Sequence, residues 1–141
     1  MATGENGAVL RPARPSDVGA IAQLWYDGWR DGHLGHVPDE LVAIRTRESF
    51  DTRAAQGLDK TTVAVVDGAI AGFVMVVDDE AEQVYVSAAH RGTGLAATLL
   101  AEAERLVAAN GHARAWLAVA PGNVLLAASG WELIVLDRQL R

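Results

Sequence analysis

Apolar and polar positions along this chain change period several times, and each change marks an element. Residues 8–14 (AVLRPAR) read as an edge strand, with Pro12 tolerable where no ladder hydrogen bond is needed. Ser16 or Asp17 then caps a helix whose apolar stripe is Ile21, Leu24, Trp25 and Gly28 or Trp29. Gly32, Gly35 and Pro38 make residues 31–38 (DGHLGHVP) a loop. A second helical stretch follows from residue 38 or 39 through about residue 56, closed by Gly57. Residues 61–66 (TTVAVV) and 69–77 (AIAGFVMVV) are strands joined by Asp67-Gly68, the preferred type I′ turn dipeptide. Residues 78–82 (DDEAE) form an acidic turn into a third antiparallel strand.

That third strand leads into the stretch that organises the chain. Val84, Tyr85 and Val86 are good strand residues. Arg91-Gly92-Thr93-Gly94 follows, with two glycines that free the backbone to take positive φ. From Leu95 the period turns helical, with Leu95, Leu99, Glu102 or Ala103, Leu106 and Ala109 at three- and four-residue steps. Asn110-Gly111 stops that helix. Residues 114–119 (RAWLAV) make a further strand, expected parallel to residues 84–86. Pro121-Gly122-Asn123 turns it into a short helix ended by Gly130-Trp131, and residues 132–140 (ELIVLDRQL) make a last strand.

Composition narrows the function classes. At 141 residues, half of them apolar, the chain makes one globular domain, residues 8–141, behind a flexible N-terminus of residues 1–7. No apolar run spans a bilayer, and the first residues lack the basic and apolar regions of a secretory signal, so a cytoplasmic setting is expected. Zero cysteines exclude disulfides, thiolate metal sites and a cysteine nucleophile, and the histidines show no metal-ligand grouping. A net charge of −6 opposes nucleic acid as a partner. It suits a cationic amine, though a mild acidic balance is ordinary for soluble proteins.

A strand feeding a glycine turn into a helix start is one way to build an anion site. The first-turn N–H groups lack partners, the helix dipole adds partial positive charge, and Arg91 adds a full one. An ordinary strand–turn–helix junction accounts for the same residues equally well. A P-loop is excluded because no Gly-Lys-Ser/Thr follows. A dinucleotide-binding domain would alternate strands with helices, and this turn comes after a three-strand meander.

The stretch Tyr85-Val86-Ser87-Ala88-Ala89-His90-Arg91-Gly92-Thr93-Gly94-Leu95-Ala96 resembles the acetyl-CoA loop of the GNAT N-acetyltransferase superfamily, whose signature is Gln/Arg-x-x-Gly-x-Gly/Ala after a strand. Ala89 stands where Gln or Arg is usual, and Ala88 where proline is common. The resemblance covers nearly the whole chain. The opening strand with its Ser-Asp helix start fits it, and Asn123 and Gly130-Trp131 match the ends of a later family motif. The interval between those ends is about four residues short and lacks the usual tyrosine. The implied fold is α/β: a central mixed sheet, mostly antiparallel, with helices on both faces.

The implied activity is acetyl-CoA-dependent N-acetyltransfer, by direct attack in a ternary complex, to a small-molecule amine or a peptide amino terminus. The rival from another class is a non-catalytic CoA-binding module acting as a sensor or partner domain. By resemblance, the backbone of Gly92, Thr93, Gly94, Leu95 and Ala96, with Arg91, holds the pyrophosphate. Val84, Val86 and Ala88 offer backbone groups to pantetheine, freed where two strands splay near Ser87 at a bulge, and Asn123 bonds the same arm. Glu82 is the candidate general base, with an exposed strand-edge charge as its alternative. The implied acceptor wall holds Trp25, Trp29, His33 and His36. For the tryptophans core packing is the competing role, and for the histidines a solvated loop. Neither a metal nor a membrane is implied. The lone C-terminal strand leaves a homodimer open.

Overall fold

The computed structural model describes residues 7–33, 39–119 and 132–135. Six strands form one sheet in the order β1 (Val9–Pro12), β2 (Thr61–Val66), β3 (Ala69–Val77), β4 (Glu80–Val86), β5 (Trp116–Val119) and β6 (Glu132–Val135). The first three ladders are antiparallel and the last two parallel, so the sheet is mixed and mostly antiparallel. On one face lies α4 (Leu95–Ala109); on the other lie α1 (Val18–His33) and α3 (Arg47–Gln56), with α2 (Asp39–Ile44) leading into α3. Among the described residues no helix is long and apolar enough to cross a membrane.

Strand alternation sorts the core into two clusters. Ala64, Val74, Val76 and Ala81 face α4 and pack on Leu95, Leu99, Leu100, Ala103 and Val107. Val63, Phe73 and Met75 face the other way, onto Ile21, Trp25, Trp29, Phe50 and Ala54. Gly72 lets α4 come close: a Cβ there would meet the Tyr85 carbonyl oxygen at 2.9 Å and Leu99 at 3.0 Å. Asp67 and Gly68, at φ 51° and 81°, turn β2 into β3 as the dipeptide predicts.

Capping chemistry places the helix starts. Asp17 is buried and accepts both Arg11 guanidinium bonds (2.7 and 3.1 Å) and the Arg14 N–H (2.7 Å), tying β1 to the head of α1. The Arg11 guanidinium holds the Asp17 carboxyl below its usual range, against the opposing effect of burial.

Four expectations move. The helix expected to end before residue 31 continues through His33, since its buried Trp25 and Trp29 hold the last turns on the sheet. The single helix expected to residue 56 is two, divided at Arg45-Thr46, because Thr46 is extended (ψ 164°) and its hydroxyl accepts from the Ser49 N–H at 3.2 Å. The acidic turn shrinks to Asp78-Asp79, and Glu80, expected within that turn, opens β4 with only 7% of its surface exposed. The bulge of β4 lies at Glu82, not near Ser87: Met75 pairs with Gln83 and Val76 with Ala81, leaving Glu82 as the extra residue. The expected short helix after Asn123, and Gly130-Trp131, lie outside the described residues.

Candidate active site

The glycine turn is shaped by its own backbone. After β4, residues Ala88–His90 make one 3-10 turn, and Gly92 and Gly94 follow with φ of 81° and 84°. A Cβ on either glycine would meet nothing within 4 Å. Packing therefore does not require glycine here; the left-handed backbone does, and it leaves the peptide bare to an approaching group. Gly94 is the N-cap of α4, and no side chain caps the helix. The N–H groups of Leu95 and Ala96, in the first turn, have no intrahelical acceptor. Thr93 is engaged more fully: its hydroxyl donates to the His90 carbonyl at 2.5 Å, and its N–H reaches the same oxygen at 3.4 Å. Arg91 is exposed at the turn and bonds Asp31, near the end of α1, at 3.0 Å. A surface pair of this kind is worth about 0–1 kcal/mol, so an anion can take the guanidinium from it.

The free edge of β4 is set by register. The Ser87 N–H donates to the Ala71 carbonyl at 2.8 Å, which makes 87 and 71 a bonded pair continuing the β3–β4 ladder. In an antiparallel ladder bonded and non-bonded pairs alternate. Tyr85 and Gln83 therefore share the bonded edge toward β3. Val84 and Val86 turn their peptide groups to the opposite edge, where β5 would run; Ala88 lies beyond β4 in the 3-10 turn, and its carbonyl accepts the Arg91 N–H at 3.4 Å. Yet β5 pairs with β4 at one rung only, Glu80 with Trp116. Beyond that rung the strands part, and among the described residues no strand pairs with Val84 and Val86 on that edge. Val84 and Val86 keep their side chains against the α4 cluster.

The opposite face carries charge at its centre. Arg53 of α3 lays its guanidinium 4.4 Å from the Trp25 ring centre and 5.3 Å from that of Phe50. Burial, then the charge of Arg45, lower its pKa to about 10, while Tyr85 and Glu82 act to raise it. Glu82, at the β4 bulge, is one of the charges that act on Arg53. Tyr85 packs on Phe73 at 5.8 Å between ring centres, and burial pushes its phenol up to about 12. Gly28 makes room for it: a Cβ there would press on the ring, 2.7 Å from Cε1.

Of the expected acceptor wall, Trp25 and Trp29 are buried at 3% and 2% exposure, in the core cluster beneath α1. Trp25 meets the site through Arg53, which covers its ring. His33 is the last residue of α1, where only its backbone is described. His36 and Asn123 lie outside the described residues. Sequence reasoning missed Arg45, Arg53 and Asp31. Arg53 had one signal: it sits three residues after Phe50 and one before Ala54, a cation on the apolar face of its helix. Asp31 had none, because its partner is 60 residues away.

A family model described as the acetyltransferase (GNAT) family matches residues 20–127. No curated protein sequence matches this chain. Among solved structures, the chain is similar to a GCN5-related N-acetyltransferase from Rhodopseudomonas palustris, at TM-score 0.70 and 21% identity, over 91% of this chain and 81% of that one. It is similar to the PaiA N-acetyltransferase of Thermoplasma acidophilum in complex with coenzyme A, at TM-score 0.57 and 20% identity, over 74% of each chain. It is also similar to a transcriptional regulator from Bacillus halodurans C-125, at TM-score 0.67 and 18% identity, over 89% of this chain and 93% of that one.

Proposed function

From its membership of the GNAT acetyltransferase family, we propose that this chain transfers an acetyl group from acetyl-CoA to an amine, by direct attack in a ternary complex. The acceptor is a small-molecule amine or a peptide amino terminus. One observation carries the reading: the uncapped N-terminus of α4 and the opened edge of β4 are consecutive in the chain, joined by a turn with two left-handed glycines. A long ligand with a pyrophosphate at one point and an amide-bearing arm beyond it fits that sequence of donors.

When bound, acetyl-CoA supplies a thioester-activated acetyl group. The chain's own residues do the rest. Amides of Gly92, Gly94, Leu95 and Ala96 hold the pyrophosphate, with a weaker share from Thr93, and Arg91 exchanges Asp31 for a phosphate oxygen. Peptide groups of Val84, Val86 and Ala88 align the pantetheine arm, and Asn123 bonds it from the far side. One β4 N–H beside the arm polarises the carbonyl, where charge develops during attack. Glu82 takes the ammonium proton, so that the amine attacks in its neutral form. The acceptor lies on the α1–α3 face, over Trp25, with Trp29 behind it and His33 and His36 at the rim. The sulfur leaves as thiolate, the attacking nitrogen sheds its second proton to water, and water returns one to the thiolate. A cytoplasmic setting, with a ready supply of the cosubstrate, accords with a chain that has no cysteine to protect.

The test is release of free CoA thiol from acetyl-CoA in the presence of an amine panel. Amine-dependent release supports the reading. Tight CoA binding with no release from any amine would hand the case to a CoA-sensing module without turnover, which the missing family tyrosine favours.

A further inference from the structure

Two guanidinium groups of the α3 region are left short of acceptors. The Nη1 of Arg53 and the Nε of Arg45 are buried, and neither has a hydrogen-bond partner among the described residues. The indole Nε1 of Trp25, beneath Arg53, is likewise buried without one. These groups only donate; a donor-only cluster buried without acceptors is destabilising unless something else supplies them. Moreover, Arg45 and Arg53 are like charges close enough to disfavour each other. Stacking on Trp25 and Phe50 holds the Arg53 fork in place. With a pKa of about 10 it stays charged at neutral pH. Both cations belong to the α3 region, and the Trp25 and Phe50 rings that Arg53 covers lie in the cluster against which Tyr85 of β4 packs.

Resting on the acetyltransfer reading and deepening it, we propose that the acceptor amine carries a carboxylate, which Arg45 and Arg53 bind together while Glu82 receives the amine. A zwitterionic amino acid presents the required pair, an anion for the arginines and an ammonium for Glu82. The fork of a guanidinium accepts a carboxylate in two parallel bonds. The site is thereby a specificity device as well as a binding one. A decarboxylated amine leaves the buried donors unpaired, and such sites reject ligands that lack the expected partner.

The experiment uses matched amines with acetyl-CoA and the full chain: L-lysine against cadaverine, L-phenylalanine against 2-phenylethylamine, and L-leucine against isoamylamine. O-Phosphoethanolamine serves as the phosphate arm. The carboxylate member of each pair that turns over should have the higher kcat/KM by about ten- to a hundredfold, the range set by a charged hydrogen bond gained or lost. Arg45→Gln should shrink that ratio by a similar factor, and Arg53→Lys should reduce it while keeping the charge. Circular dichroism shows whether each variant is folded, and Arg45→Gln, in the connection between α2 and α3, serves if Arg53→Lys is not. Equal or better use of the decarboxylated amines, or preference for O-phosphoethanolamine, overturns the proposal and leaves acetyltransfer standing. If no amine turns over, the side-chain NMR resonance of Arg53 Nε–H is followed with N-acetyl-L-phenylalanine and N-acetylglycine. A shift that Arg45→Gln weakens supports the carboxylate site although acetyltransfer has failed; an unmoved resonance refutes it.

Discussion

At the scale of residues, the proposed CoA site is the glycine turn with its single arginine. Valine at position 94 would have to adopt a φ near 84°, where an L-residue costs roughly 1–2 kcal/mol. It would also stand in the open space that the ligand needs. Gly94→Val is expected to lower CoA affinity about a hundredfold by calorimetry, through lost charged hydrogen bonds, with a fall of only a few degrees in Tm. Undiminished binding would remove the loop from the account. Asp31→Asn works in the opposite direction: it releases Arg91 from its 3.0 Å partner and should tighten CoA about two- to fivefold, in line with the value of an exposed pair. Tyr85 sets the pH behaviour. With its phenol near 12 it cannot usefully protonate a thiolate of pKa about 8.5, since the transfer is uphill by roughly 5 kcal/mol. The kcat should therefore rise with pH through one ionisation, that of the base, and then level off. Tyr85→Phe should keep the plateau. An alkaline limb that disappears in Tyr85→Phe would show a general acid at work.

At the scale of elements, α1 and β4 depend on one close approach. Gly28 lies under the Tyr85 ring, so Gly28→Ala must displace either the ring or the helix, with an expected loss of about 1–3 kcal/mol. In the double variant Gly28→Ala with Tyr85→Val most of that loss should be recovered, because the clash has no partner left; simple additivity in chemical denaturation would contradict the contact. The same elements show what the sequence makes legible. The hairpin at Asp67-Gly68, the glycine turn and the long helix closed by Asn110-Gly111 were readable because turn chemistry and helical period are local signals. The break at Thr46 was missed because a threonine inside a helical pattern declares itself a cap only through its ψ. Glu80 reads as part of an acidic turn, and its burial depends on β5, 36 residues later. The bulge at Glu82 likewise has no local mark, since register against β3 creates it. Arg53 carries a local signal beside Phe50 and Ala54, but the β4 groups that act on it, Tyr85 and Glu82, are tertiary, and nothing local marks Arg45.

At the scale of the whole molecule, the proposed function divides two tasks between the faces of the sheet and its edge. The α4 face and the β4 edge present amides, which suit phosphates and peptide-like arms. The α1–α3 face presents buried aromatics with charges above them, which suits an acceptor. The parting of β4 from β5 after one rung is what lets the two meet. That arrangement makes a spatially specific claim, and one titration tests it directly. Addition of CoA to the ¹⁵N-labelled protein should shift the backbone amides of Gly92, Gly94, Leu95 and Ala96 together with those of Val84 and Val86. Tyr85 and Gln83, whose amides are engaged with β3, should move less. CoA binding that leaves both the glycine turn and the alternating β4 amides unmoved would contradict the account.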